Sequence, residues 1–130
     1  MNLVSIVIEG DEQHLDNIKD KLGLSIDSSW QKGNQTRSGK LRENSGFTSC
    51  ICDCDTPFRM IEELSDFLRY IDNKHLNFKQ LELNARLSLG VTVGDQQQFI
   101  ATIDFPNYLL ELICKLGLHL SISAYPTTDE

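Results

Sequence analysis

Leu81-Glu82-Leu83-Asn84-Ala85-Arg86-Leu87-Ser88-Leu89-Gly90-Val91-Thr92-Val93 is the stretch that decides the fold of this chain. Apolar residues hold every odd position, while Glu82, Asn84, Arg86, Ser88, Gly90 and Thr92 hold the even ones. In an extended chain successive side chains point to opposite faces, so one face of this strand is apolar and the other is wet. A strand buried on one side only belongs to an antiparallel or mixed sheet, not to an all-parallel sheet covered on both faces. Gly94-Asp95 then offers a turn, and Phe99, Ala101, Ile103 and Phe105 resume the alternation. The spacing therefore predicts a long antiparallel hairpin.

Toward the C-terminus, Pro106-Asn107 opens a helix that runs to Leu116. It is apolar almost all round (Leu109, Leu110, Leu112, Ile113, Cys114), which predicts deep burial. Leu118 to Tyr125 reads as the last strand, with Leu120, Ile122 and Ala124 inward and His119, Ser121 and Ser123 outward. The tail from Pro126 to Glu130 is expected to fray. Toward the N-terminus, Gly46 to Cys54 reads as a strand, and Thr56-Pro57 is a helix start with a hydroxyl cap and proline at the first helical position. Phe58, Ile61, Leu64, Leu68 and Ile71 are the expected buried stripe of that helix. Leu3 to Glu9 is rich in Val and Ile and reads as the first strand. Asp11 is an N-cap for a short helix whose core side is Leu15, Ile18 and Leu22. That helix ends on Lys21-Leu22-Gly23-Leu24, and the last helix ends on Lys115-Leu116-Gly117-Leu118. Glycine in this place suits the left-handed residue that terminates a helix. Ser25 to Ser45 reads as one long loop, and loops of that length are often functional or poorly ordered. The resulting order is β-α-β-α-β-β-α-β in a single domain over residues 1–130. The fold class is α+β, an antiparallel or mixed sheet with helices packed on one face.

Composition narrows the functional classes. The chain has 19 acidic against 12 basic residues and a net charge of −7. A general nucleic-acid binder is disfavoured, because such proteins are usually basic over the binding face. An acidic surface suits a basic protein partner through steering and complementarity. The N-terminus lacks a basic leader and a long apolar run, so neither a signal peptide nor a membrane span is expected. Cytoplasmic residence follows as an expectation, with the four cysteines as free thiols.

Few constellations could carry chemistry. Cys50-x-Cys52-x-Cys54 would put three thiols on one side of a strand and invites a metal-binding or small-molecule reading. The spacing lacks the Cys-x-x-Cys knuckle that zinc usually wants, and Cys114 sits on a helix expected to be buried. Asp11, His14 and Asp16 read better as a dipole-matched first helical turn than as ligands. His119 lies beside Ser121 and Ser123, and an enzyme would have to pair it with the basic loop carrying Lys32 and Arg37. No nucleophile triad, phosphate loop or metalloprotease motif is present, so no enzyme and no cofactor is expected. Trp30, in the polar loop, suits a binding hot spot or an anchor onto the core. Asp53, Asp55, Glu62, Glu63 and Asp66 form an acidic band offset only by Arg59 and Arg69. These five carboxylates and Trp30 are the expected partner-binding residues.

Several features together carry a resemblance. They are the opening strand, Gly10-Asp11, the helix to Leu22-Gly23-Leu24, and Trp30-x-Lys32-Gly33 with its basic loop to Gly46. The helix ending Leu116-Gly117-Leu118 and the strand ending Ile122-Ser123-Ala124-Tyr125-Pro126 complete the set. The chain resembles the bacterial family labelled domain of unknown function 4279 over nearly its whole length. The cysteine-rich strand departs from that pattern, and the family transfers no catalytic residue. Small acidic bacterial proteins of this kind resemble immunity proteins. The resemblance therefore implies a cytoplasmic binder that neutralises a cognate basic toxin, such as a nuclease, by covering it. A homodimer through an exposed sheet edge is a further expectation from the two similar ends.

Overall fold

Val4, Ile6 and Ile8 of β1 (Asn2–Gly10) have no exposed surface, because this strand lies at the centre of the sheet. The computed structural model describes residues 1–127. After β1 come α1 (Glu12–Leu22), β2 (Ser28–Trp30), β3 (Ser45–Asp53), α2 (Pro57–Asn73), β4 (Asn84–Val93), α3 (Asn107–Leu116) and β5 (Leu118–Pro126). The sheet order is β2-β3-β1-β4-β5. All neighbours are antiparallel except β4 and β5, which run parallel. The fold is α+β with a mixed sheet.

The register sorts the two faces. Ile6 stands opposite Leu87 and Ser49, and Ile8 opposite Ala85 and Phe47. These residues are all buried, and against them pack Leu15 and Ile18 of α1, Met60, Leu64 and Leu68 of α2, and Leu109 and Leu116 of α3. All three helices therefore cover one face. Each fully buried aliphatic side chain there contributes about 1.5–3 kcal/mol of transfer free energy. Both expected glycine stops are present, with Gly23 at φ 67° and Gly117 at φ 78° closing α1 and α3 in the left-handed region.

The number of strands and helices is as expected, but one strand lies elsewhere. No strand forms over Phe99–Phe105. β4 has only two edges, and β1 and β5 occupy both. A parallel neighbour also needs a long crossover, so the chain from Gly94 runs through α3 to start β5 at the other end. Ala101, Ile103 and Phe105 still pack against the core from the connector, so their alternation records burial without pairing. The fifth strand is instead β2, inside the stretch read as loop, where Ser28, Ser29 and Trp30 pair with Thr48, Phe47 and Gly46.

Smaller corrections follow from packing. β4 begins at Asn84, not Leu81, because a turn buries Phe78 and leaves Glu82 at φ 57°. α3 is not deeply buried: Leu109, Ile113 and Leu116 face the core, while Leu110 and Cys114 are exposed. Leu120, Ile122 and Ala124 share the core face by register, yet Ile122 is 50% exposed and Ala124 is exposed too, since β5 is an edge strand. Pro126 ends β5 and Thr127 bonds Val93 O through its amide (2.9 Å) and hydroxyl (3.0 Å), so the chain is paired there. Residues 128–130 of the expected frayed tail lie outside the described residues.

Candidate functional site

The acidic band is organised by the start of α2. Thr56 caps it, its hydroxyl accepting the Arg59 amide at 3.2 Å, and Pro57 takes the first turn. This start sends Met60, Ile61, Leu64, Leu68 and Ile71 inward. Phe58, which we expected in the stripe, is 73% exposed instead. It sits roughly 100° around the helix from the centre of that stripe, on the side of Glu62 and Asp66. The helical spacing alone places Phe58 off the buried stripe, although its aromatic side chain suits a core.

Beside Phe58 and Glu62 stands the first turn of α3. The Tyr108 hydroxyl lies 3.4 Å from Ser65 Oγ, and the Arg69 guanidinium lies 4.8 Å from the Tyr108 ring centre. Thr102, Asp104, Phe105 and Pro106 of the connector close the third side, leaving a groove of about 550 Å³. Its floor is apolar (Ile61, Phe105, Pro106), and Glu62 and Asp104 bring carboxylates to its lining. Arg59 divides itself between Glu62 (3.8 Å) and Glu63 (3.4 Å), both partly exposed, so it offsets the band only weakly.

The six expected partner residues are not one cluster. Glu62 lines the groove, Glu63 and Asp66 follow on α2, and Asp55 precedes the Thr56 cap, where a carboxylate suits the helix dipole. Asp53 ends β3 and accepts the Asn2 amide at 3.3 Å. Trp30 lies on the other face of the sheet. Its ring covers Gly46 so closely that a Cβ there would come within 2.5 Å of the indole, and Arg42 stacks over it at 4.4 Å from the ring centre. The anchoring role fits that position. The indole Nε1–H is buried without a hydrogen-bond partner among the described residues.

That second face is open. Two adjoining depressions of about 370 and 750 Å³ share Val7, Glu9 and Arg86. His119 and Ser121 border the first, and Trp30 and Arg42 border the second. Lys32 lines a separate depression with Asp11 and Glu12, away from His119. Arg86 carries no functional signal in the sequence, because it occupies an ordinary wet position of the alternating run.

The three strand cysteines do not share a face. Register slips between Val4 and Ser5, so Cys50 stands opposite Ser5 on the open face and Cys52 opposite Val4 on the core face. Among the described residues no three His, Cys, Asp or Glu side chains converge as a metal site. Burial pushes the Cys52 thiol up to about 12, helped by the Cys54 thiol beside it, by Cys50 and by Glu63. Cys50 is raised as well, first by burial and then by Asp27 and Asp53.

A family model described as a domain of unknown function (DUF4279) matches residues 1–127. The chain belongs to the DUF4279 family. The match spans both glycine-stopped helices, the groove and the open sheet face, so all the surfaces described above lie within the family's domain. Neither the curated proteins nor the solved structures hold a match to the chain. No helix among the described residues is long and apolar enough to cross a membrane.

Proposed function

We propose that this DUF4279 chain is a non-enzymatic protein-binding module whose α2–α3 groove receives a basic partner. In its most concrete form it is a bacterial, cytoplasmic immunity protein that covers and neutralises a cognate basic toxin, such as a nuclease. The observation that carries the reading is an apolar groove flanked by a 73%-exposed Phe58 and bordered by Glu62 and Asp104. An exposed aromatic beside a groove is the kind of residue that becomes a hot spot when a partner desolvates it. Carboxylates around it speed encounter with a positive surface and disfavour acidic competitors. A net charge of −7 adds a long-range field of the same sign.

The test begins with the partner that co-purifies stoichiometrically with the tagged protein from its native cells. Binding kinetics are then measured for the wild type, Phe58→Ala and a Glu62→Lys/Asp66→Lys double variant. Phe58→Ala should raise koff at least about tenfold. The double reversal should lower kon and flatten its dependence on salt. Unchanged kinetics in both variants would exclude the groove as the binding surface.

A further inference from the structure

Two arginines meet over the depressions of the open sheet face in an otherwise acidic molecule. In a chain of net charge −7, the two depressions on this face are lined by Arg42 and Arg86 together with the His119 imidazole, and Glu9 is the one carboxylate among their lining residues, Asp53 standing farther along the sheet opposite Leu3. Neither arginine forms an ion pair among the described residues, although the chain holds 19 acidic residues. Both guanidinium groups are nevertheless placed by rigid parts. Arg42 is stacked on Trp30, which itself rests on Gly46 of β3. Arg86 projects from β4, whose backbone is paired on both sides, and stands in register with Val7 on one neighbour and His119 on the other. Strand spacing puts the Arg86 and His119 backbones about 5 Å apart.

A guanidinium held by stacking keeps its N–H donors directed and loses little entropy when it meets an oxyanion. Planar pairs of N–H groups match phosphate and carboxylate oxygens two at a time. Ser28, Thr48, Asn84 and Ser121 add neutral hydrogen-bonding groups around the same depressions. Glu9 disfavours a second negative charge beside it and instead accepts a hydroxyl or amine from the ligand. Depressions of about 370 and 750 Å³ match the size of small-molecule sites. A long polyanion would meet repulsion from the remaining negative charge of the chain.

We propose that the open sheet face is a binding site for a small organic anion, a metabolite bearing a phosphate or carboxylate group together with hydrogen-bond donors. Arg86 and Arg42 grip the anionic group, His119 donates from the β5 side, and Glu9 takes a donor of the ligand. The site lies on the face opposite the helices, so it stands or falls independently of the groove on α2 and α3.

Trp30 is the sole tryptophan, and its fluorescence reports directly on this face. The full-length protein is titrated at constant ionic strength with glycerol phosphate in one series and glycerate in another, each bearing one anionic group and free hydroxyls. Saturable quenching or enhancement with either probe is expected, and the probe that acts names the anionic group. Arg86→Gln, which leaves the Trp30–Arg42 stack alone, should weaken that binding at least about tenfold. Thermal melts confirm that the variant folds, and Glu62→Lys/Asp66→Lys should bind the probe as the wild type does. A response that tracks ionic strength without saturating, or saturation retained in Arg86→Gln, overturns the proposal. Saturation by an acidic peptide with none by either small anion would also overturn it, assigning the face to a protein.

Discussion

Gly46 shows how one residue can tie a surface feature to the core. A Cβ at this position would lie 2.5 Å from Trp30 Cζ2 and 2.8 Å from the Ile8 carbonyl oxygen. The indole can move, but the backbone of a central strand cannot. Gly46→Ala should therefore destabilise the protein by about 1–3 kcal/mol and blue- or red-shift the emission of Trp30, read by denaturant melts followed through tryptophan fluorescence. Normal stability with an unchanged spectrum would mean that the ring does not rest there. The cysteines offer a second test at this scale. Burial pushes the Cys52 thiol up to about 12, so at pH 8 it is held almost wholly as the unreactive thiol. Cys114 is exposed on α3 and should react first with a maleimide, with Cys52 last. The sign is fixed by the raised pKa: the reactivity of Cys52 should climb through the alkaline range up to about pH 12, and equal rates for the two at pH 8 would contradict the burial described here. In the sequence the cysteines looked like a row of three, because alternation assumes an unbroken ladder; the slip at Val4/Ser5 lies in the pairing, not in the residues.

At the scale of elements, α2 separates the residues that hold the fold from those offered to a partner. Leu64 is fully buried and Phe58 is not, although both are large apolar residues on one helix. Leu64→Ala should remove about 2–5 kcal/mol of stability. Phe58→Ala should change it by no more than about 0.5 kcal/mol, measured by the same chemical denaturation. A large loss at Phe58 would show that its ring supports the fold and would weaken its assignment to a binding groove. The helix starts and stops were legible because they depend on local chemistry: the Thr56 hydroxyl, the Pro57 ring, and the freedom of Gly23 and Gly117 to adopt positive φ. The groove was legible only in half. Glu62 could be singled out by its charge, whereas Tyr108 and Asp104 join it through the docking of α3 and its connector, which no local spacing encodes.

At the scale of the molecule, one sheet separates an acidic, helix-covered side from an open side that carries two arginines without an ion pair among the described residues. The same layering predicts a gradient of stability. Amides of β1, flanked by β3 and β4, should exchange with deuterium only through global unfolding. Residues 31–44, tied to one another by bonds such as Arg42 N–H to Asn34 O (2.7 Å) and by the single bridge Gln35–Leu41, should exchange through local opening. Exchange-mass spectrometry that found the two segments equally protected would refute this layering. The sequence by itself determined the α+β class, the three helices and the wet-and-dry character of the strands. Those properties arise from residue periodicity and from capping groups within a few residues of one another. Tertiary structure alone decided which edges pair. β5 takes the edge of β4 that the expected hairpin would have used, and β2 adds to β3 from a stretch with no strand-like pattern. Edge pairing is a competition between distant segments for the same backbone donors and acceptors, and that competition is settled only when the whole chain has packed. The two candidate sites follow from its outcome, since both are built from residues that become neighbours only across strands or between helices.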